Sequence, residues 1–350
     1  HSTNINQEDK RTHIMEGNHI HITPWLLPLS WLYGLGVNIR NKMFDHGMLP
    51  SRSFSLPVIC IGNITVGGTG KTPHTEYLIR LLSSTKRIAV LSRGYKRKSK
   101  GFVLASPSST VAEIGDEPCQ MKRKFPLVQI AVDRDRCHGI TQLISGDISP
   151  KPEVILLDDA FQHRYVQAGL NIVLMDYHRV TYLDKLLPAG RLREPQSGLR
   201  RADIIIVTKC PIDMTDNSKQ TIRSHLSPLP SQQLFFTRYR YPDTIEGIKG
   251  TPILLTGIAS PLQMAHDLQH ILPDIELMSF PDHHKFSTED MDYIRRHTAG
   301  RTILTTEKDA TRLQGLDNIR VIPIEVEFLD DMQATFNQTI LKFVHSFAPM

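Results

Sequence analysis

The chain has 350 residues, of which 40% are hydrophobic and 22% are charged. This composition is ample for a sizeable core, so it excludes a chain too polar to fold and predicts a soluble globular protein of about two domains. The net charge of +5 favours anionic partners, which include nucleotides, phosphorylated substrates, acidic lipids and nucleic acids, and it does not choose among them. The four cysteines lack paired metal-ligand spacing, which predicts reduced thiols in a cytosolic chain.

The N-terminal segment divides into two parts. Residues 1–14 are polar and without pattern, and we expect them to be a disordered extension upstream of Met15. An aromatic and apolar run then covers residues 24–35 and carries no formal charge. It is shorter than the roughly 20 residues of a membrane-spanning helix, and it lacks the flanks of a signal peptide. Residues 15–45 are therefore predicted to form a helix that lies on a membrane surface; a helix packed on its own domain is the alternative.

A phosphate-binding loop is predicted within residues 57–73, PVICIGNITVGGTGKTP. The apolar, β-branched run at 58–61 predicts a buried strand, and a glycine-rich turn leads from it into a helical pattern. Backbone N–H groups and a helix N-terminus would face phosphate oxygens there, with Lys71 at the β and γ charges. Thr65 stands where the strict motif has its first glycine, so a loop without nucleotide stays open. The predicted nucleotide-binding residues are Thr65, Val66, Gly67, Gly68, Thr69, Gly70, Lys71 and Thr72.

Four further apolar runs predict strands at residues 87–92, 128–132, 171–176 and 203–209. Apolar strands that alternate with helical patterns indicate a doubly wound, mainly parallel sheet of the P-loop NTPase type. Another strand, at residues 154–157, ends at Asp158 and Asp159. An acidic pair at such a strand end is suited to support Mg²⁺ together with Thr72, although an aspartate there is often only a cap.

A second, smaller α/β domain is predicted at residues 251–350, joined to a P-loop domain at 46–230 by an extended linker at 231–250. Prolines and alternating aromatic residues mark the linker. The second domain is expected to contain an edge strand at 321–328 and a terminal amphipathic helix.

Three polar clusters outside the phosphate loop remain ambiguous from the residues alone. Asp116 and Glu117 lie in a glycine-proline turn and could cap a helix. Arg193 and Glu194 could clamp a phosphate or pair with each other. His283 follows a predicted strand; we rank zinc binding low and favour a partner for an acid across the interdomain cleft.

From about Met15 onward, the chain resembles the tetraacyldisaccharide 4'-kinase family, the inner-membrane-associated kinases of lipid A biosynthesis in Gram-negative bacteria. Each motif is weak alone, and their combined order carries the resemblance. Thr65 then matches the family, whose phosphate loop has a small hydroxyl residue there. The motifs are GNITVGGTGKTP at 62–73, LSRGY at 91–95, GDEP at 115–118, LLDDAFQH at 156–163, LPAGRLREP at 187–195, PDHH at 281–284 and TTEKD at 305–309.

The resemblance implies transfer of the ATP γ-phosphoryl group to the 4' hydroxyl of tetraacyldisaccharide 1-phosphate, which gives lipid IVA. It implies Asp116 as the base, His283 as its dyad partner and Lys71 as a third catalytic residue. It also implies an anionic glycolipid substrate and a monomer on the cytoplasmic face of the inner membrane, with no nucleic-acid partner. The implied Mg²⁺ ligands are Thr72, Asp158 and Asp159, and the implied substrate-positioning residues are Tyr95, Glu117, Arg134, Arg193 and Glu194.

Two other classes of protein stay open. A membrane-recruited P-loop ATPase switch shares the G-G-x-G-K-T loop. Such ATPases carry a second lysine at the start of that loop, and this chain has none there, since residues 63–66 are Asn, Ile, Thr and Val. A kinase for a soluble sugar or nucleotide would not need the apolar N-terminal run.

Overall fold

The computed structural model describes residues 20, 22–258, 261–281, 284, 286–313 and 315–347. The predicted extension at 1–14 and the predicted dyad residue His283 both lie outside these ranges. The strands are β1 (Val58–Gly62), β2 (Ile88–Ser92), β3 (Val103–Leu104), β4 (Gln129–Val132), β5 (Val154–Asp158), β6 (Leu170–Asp176), β7 (Ile204–Thr208), β8 (Gln233–Arg240), β9 (Ile253–Thr256), β10 (Glu276–Ser279), β11 (Ile303–Thr306), β12 (Ile319–Ile322) and β13 (Glu325–Phe328).

Three of the helices are predicted individually from the sequence, namely the N-terminal helix, the helix after the phosphate loop and the terminal helix, and short 3-10 turns lie between several of the strands. The α-helices are α1 (Leu27–Asp45), α2 (Lys71–Ser83), α3 (Val111–Ile114), α4 (Asp116–Lys124), α5 (Arg136–Ser145), α6 (Asp216–Leu226), α7 (Pro261–Gln269), α8 (Thr288–Thr298), α9 (Glu307–Ala310) and α10 (Gln333–His345).

The first sheet has nine strands in the order β13-β8-β7-β6-β1-β5-β2-β4-β3, and all but the two edge strands run parallel. This confirms the predicted mainly parallel, doubly wound fold. Strand β1 lies between β5 and β6, and Ile61 pairs with Asp158. The loop after β1 and the acidic end of β5 therefore emerge side by side at the carboxyl edge of the sheet, where open α/β sheets bind ligands.

Both faces of this sheet are buried, which is why its strands read as continuous apolar runs. Alternate residues of β1 contribute to different cores because successive side chains of a strand point to opposite faces. Ile59 and Ile61 pack with the apolar side of α2, whereas Val58 and Cys60 belong to the core that includes α5 and α6.

The second sheet has four parallel strands in the order β10-β9-β11-β12. Helices cover both of its faces. Leu254 packs with Leu268 of α7 on one face, and Leu255 packs with Ile294 of α8 on the other. This sheet and its helices form a second lobe, which confirms the smaller α/β unit.

The predicted linker is wrong over residues 233–240, because these residues form β8 inside the first sheet. The aromatic side chains of β8 point alternately to the two faces of that sheet, and both faces are buried. Phe235 and Phe236 therefore belong to the opposite cores. The predicted edge strand at 321–328 is two strands, β12 in the second sheet and β13 in the first. The chain therefore returns to the first sheet, where α10 packs, and the second lobe is an insertion between β8 and β13.

Helix α1 contacts the first lobe with one side only. Ser30 Oγ donates to the carbonyl of Leu186 at 2.9 Å, and a Cβ on Gly34 would lie 2.6 Å from the Leu186 side chain. The other side leaves Trp31 more than 70% exposed, as is Trp25 in the 3-10 turn that precedes the helix. Among the helices in the described ranges, none is both long and apolar enough to cross a bilayer.

Candidate active site

A cavity of about 1290 Å³ opens at the carboxyl edge of the first sheet and is also lined by residues of the second lobe. Among the predicted site residues that the structure describes, Thr65 alone does not line it, because Thr65 is buried and pairs with Leu192. His283 lies outside the described ranges. The predicted residues that do line the cavity are Val66, Gly67, Gly68, Thr69, Gly70, Lys71, Thr72, Tyr95, Asp116, Glu117, Arg134, Asp158, Asp159, Arg193 and Glu194.

The glycine-rich loop has the geometry of a phosphate cradle. Gly67 and Gly70 have φ of +118° and +84°, a region that favours glycine. A Cβ on Gly70 would also lie 2.7 Å from the Tyr239 hydroxyl, so this position has no room for a side chain. Lys71 begins α2 directly after the loop, and the first N–H groups of the helix, which have no partner within it, point at the same space.

The strand ends beneath the loop hold its carbonyl groups. Thr208 donates its hydroxyl to the carbonyl of Thr69 at 2.9 Å, and Lys209 donates to that of Gly68. Lys209 is buried and pairs with the buried carboxylate of Asp176 at 2.8 Å. Because the N–H and C=O groups of a peptide point in opposite directions, fixing a carbonyl also fixes the neighbouring N–H. Sequence reasoning missed Asp176 and Lys209, although both stand at the ends of predicted strands.

Asp159 lies between two cations. Lys71 Nζ is 3.5 Å from Asp159 Oδ1, and Arg193 Nη1 donates to the same oxygen at 3.1 Å. Burial opposes ionisation of this carboxyl, but the nearby charges of Lys71, Arg193 and Arg136 outweigh it and lower the pKa. Asp159 is therefore an anion that orients Lys71 and Arg193 in the cavity.

Asp158 has the opposite character. It is 1% exposed, and burial together with the charges of Glu117 and Asp159 raises the pKa to about 7. Its Oδ2 accepts from Ser92 at 3.3 Å, while Oδ1 has no partner among the described residues. A buried carboxylate oxygen without a donor, close to other acids and to phosphate-binding groups, fits a divalent cation. Asp158, Asp159 and Thr72 thus form a suitable donor set for Mg²⁺.

Asp116 is the first residue of α4, and Gly115, with φ of +92°, precedes it as the N-cap residue. Among the described residues, the Asp116 side chain makes no hydrogen bond that caps a helix. Instead Asp116 Oδ2 accepts from Arg312 Nη2 of the second lobe at 2.9 Å. Sequence reasoning missed Arg312, although it stands three residues after the TTEKD motif.

A second ion-pair cluster joins the two lobes. Lys124 Nζ lies 2.7 Å from the buried Glu76 and 2.7 Å from Glu307 of the second lobe, and Gln120 also donates to Glu307. Burial raises the pKa of Glu76 although Lys124 favours its ionised form. The two clusters place Glu307 of the TTEKD segment and Arg312, which follows it, against the first lobe.

The remaining predicted positions differ in what they offer a substrate. Tyr95 and Arg134 are exposed on the cavity wall. Glu194, by contrast, is buried and pairs with Arg201, and Gln162 donates to it at 2.8 Å. Its bonds stabilise the loop that carries Arg193.

Comparison with known proteins gives one consistent result. A family model described as LpxK, tetraacyldisaccharide-1-P 4'-kinase, matches residues 22–345. Relatives named tetraacyldisaccharide 4'-kinase include one from Phocaeicola vulgatus, 52% identical over 94% of this chain and 97% of the relative. Another, from Bacteroides fragilis, is 51% identical over 94% and 95%. A crystal structure described as the "apo" form of LpxK from Aquifex aeolicus in complex with ATP is 32% identical, with a TM-score of 0.72, over 92% of this chain and 99% of that one.

Proposed function

The chain belongs to the tetraacyldisaccharide-1-phosphate 4'-kinase family, and from that premise we propose how its residues divide the work of phosphoryl transfer. It transfers the γ-phosphoryl group of ATP to the 4' hydroxyl of tetraacyldisaccharide 1-phosphate, which gives lipid IVA in lipid A biosynthesis. Phosphoryl transfer needs positioned groups and charge neutralisation more than covalent chemistry from the protein. The proposed roles are therefore those of binding, orienting and proton acceptance.

The observation that carries the proposal is the convergence of three elements on one cavity. The glycine loop with Lys71, the end of β5 with Asp158, and the start of α4 with Asp116 all line it. We propose that the Val66–Thr72 backbone and Lys71 bind the ATP phosphates, while Asp159 orients Lys71. Thr65 contributes indirectly, because its pairing with Leu192 fixes the start of the loop.

Asp116 is the proposed base for the 4' hydroxyl, with His283 as its partner from the second lobe. Asp116 Oδ1 has no hydrogen-bond partner among the described residues, so this oxygen is open to accept a hydroxyl proton. An imidazole beside such a carboxylate would orient it and stabilise its charge.

Thr72, Asp158 and Asp159 are the proposed ligands of Mg²⁺, with Asp158 as the principal one because no described residue donates to its Oδ1. When bound, Mg²⁺ neutralises charge on the phosphate oxygens. For Asp159 this role competes with its ion pairs to Lys71 and Arg193.

Arg193, Arg134, Tyr95 and Glu117 are the proposed contacts to the sugar-phosphate headgroup or the nucleotide, since they supply charge and donors on the cavity wall. Glu194 acts on the substrate through Arg193, whose loop it stabilises. Helix α1 is proposed to lie on the cytoplasmic face of the inner membrane, where a monomer meets its anionic glycolipid substrate.

The deciding experiment is transfer of label from γ-³²P-ATP to purified tetraacyldisaccharide 1-phosphate in detergent micelles. We expect Lys71→Ala and Asp116→Ala to lower kcat/KM by about 10²- to 10⁴-fold and His283→Ala by a smaller factor. Leu127→Ala, at a fully exposed position, is the control.

Hydrolysis of ATP by the wild-type protein without labelled lipid would exclude the kinase assignment. Full activity of Asp116→Ala would leave the kinase in place and remove Asp116 as the base.

A further inference from the structure

The TTEKD segment, which the resemblance leaves without a role, lines the cavity from the second lobe and is held there by hydrogen bonds. Thr306 caps α9 by accepting from Asp309 N at 3.1 Å, and Asp309 is fully buried. Asp309 Oδ2 in turn accepts from the hydroxyls of Thr256 and Thr306 and from the N–H of Gly257, at 2.9 to 3.1 Å. Asp309 is thus fixed to the ends of β9 and β11.

Arg312 continues this chain of contacts toward the first lobe. Its Nη1 lies 3.8 Å from Asp309 Oδ1, and its Nη2 donates to Asp116 Oδ2 at 2.9 Å. The planar guanidinium therefore lies between a carboxylate anchored in the second lobe and the carboxylate at the start of α4. It is 15% exposed and lines the cavity.

Stabilisation of the folded protein is a poor explanation for this ion pair. The Asp116 side chain is 39% exposed, and ion pairs that solvent reaches contribute only about 0–1 kcal/mol to stability. The contact instead fixes the orientation of the Asp116 carboxylate. With Oδ2 of Asp116 bound to Arg312, the carboxylate cannot rotate freely, and Oδ1 is left for another donor.

We propose that Arg312 is a positioning residue of the phosphoryl transfer: it holds Asp116 from the second lobe so that Oδ1 faces the acceptor hydroxyl. The base is then correctly oriented only when the second lobe is in place, which links lobe position to activity. The inference rests on the proposed role of Asp116 as the base.

The test uses the full chain and compares Arg312→Ala and Arg312→Lys in the label-transfer assay. We expect Arg312→Ala to lower kcat by roughly 10- to 10²-fold, because displacing a reacting group by about 1 Å has effects of this size. KM for ATP should change less than threefold. Arg312→Lys should recover part of the loss, since lysine keeps the positive charge but lacks the planar set of donors of a guanidinium group. Guanidinium chloride at millimolar concentration should restore part of the activity of Arg312→Ala only.

Arg295→Ala is the matched control, because it removes an exposed arginine of the same lobe that also pairs with an aspartate, Asp292 at 2.8 Å. The double variant Arg312→Ala, Asp116→Ala is measured in single turnover with enzyme in excess. It should be no slower than Asp116→Ala, because groups that act as a unit are not additive.

Each other outcome overturns a distinct claim. Wild-type kcat in Arg312→Ala, or a loss that adds fully to that of Asp116→Ala, removes the positioning role. A loss accompanied by a fall in Tm of several degrees and without guanidinium rescue assigns Arg312 a purely structural role. If Asp116→Ala itself is fully active, the proposed base fails, whatever Arg312 does.

Discussion

His163 is a histidine that the fold keeps uncharged. Burial, and then the positive charge of Arg136, lower the pKa from 6.5 to about 4, and the ring nitrogen Nε2 has no partner among the described residues. Between these two values the unfolded chain binds a proton that the folded protein does not. Stability therefore rises with pH across this window and is lost as the pH falls from 6.5 toward 4.

We predict that His163→Asn makes the protein less sensitive to acid. Because asparagine does not titrate, the variant should lose less Tm than the wild type between pH 7 and pH 4.5, with no growing difference above pH 7. Differential scanning fluorimetry across this pH range measures the Tm of both proteins. His46→Asn, at an exposed position, is the control, and parallel Tm curves for wild type and His163→Asn would contradict the prediction.

The electrostatics of single residues also explain why adjacent aspartates differ. Asp158 is buried with an oxygen that has no partner among the described residues, whereas Asp159 is bound by two cations. In the proposed mechanism Asp158 is therefore the principal metal ligand, and Asp159 mainly orients Lys71. The sequence predicts the pair but not this division, because neither Arg193 nor Glu117 is near it in the chain.

At the scale of elements, α1 combines a side that packs on its own domain with a side that is free to meet a membrane or a partner. Ser30, Gly34 and Phe44 are buried against the first lobe, while the opposite side exposes large apolar groups. Several large exposed apolar side chains on one short segment are typical of a protein or membrane contact. They are Trp25 in the preceding 3-10 turn and Leu29, Trp31, Leu32, Leu35 and Ile39 of the helix.

We predict that this exposed side binds lipid bilayers. Replacing Trp31 and Leu32 with serine should lower co-sedimentation with phosphatidylethanolamine–phosphatidylglycerol vesicles by at least about fivefold, because both side chains would bury apolar area in the membrane. Label transfer in detergent micelles should change far less. Leu127→Ser, at a leucine that is even more exposed than Leu32, should sediment as the wild type does.

Unchanged sedimentation of the Trp31, Leu32 variant would mean that α1 meets a protein or the substrate alone. Equal loss in Leu127→Ser would mean that the assay reports surface hydrophobicity in general.

At the scale of the whole molecule, the C-terminal helix α10 belongs to the first lobe. Phe336, Ile340 and Val344 of α10 are buried in the same core as Leu78 and Ile79 of α2. The hydroxyl of Tyr77 also donates to Asn337 at 2.7 Å. The second lobe is thus inserted into the first.

We therefore predict that a chain ending at residue 250 does not fold, although the sequence pattern would place a domain boundary there. It would expose the core that α10 covers and leave β8 without its partner β13. Phe336→Ala in the full chain should lower the free energy of unfolding by about 3–5 kcal/mol. Circular dichroism and thermal unfolding measure both changes, and a cooperative transition in the shortened chain would contradict the prediction.

Much of this architecture follows from local patterns. Apolar runs bounded by glycine and proline predict the central strands within a residue or two, because strands buried on both faces need continuous apolar sequence. The glycine loop and Lys71 are equally local, since positive φ angles and a helix N-terminus are set by a few adjacent residues.

Residue patterns alone are therefore enough to predict the parallel fold, the glycine-rich loop, the acidic strand end and, through ordered motifs, the kinase family. Which distant residues meet is visible only once the chain is folded. Asp116 and Arg312 are 196 positions apart, and β8 was predicted as a linker because its partners β7 and β13 are a matter of topology. The periodicity of apolar residues indicates which face of an element is buried. It does not indicate which other element covers that face, because contacts between elements depend on how the whole chain packs.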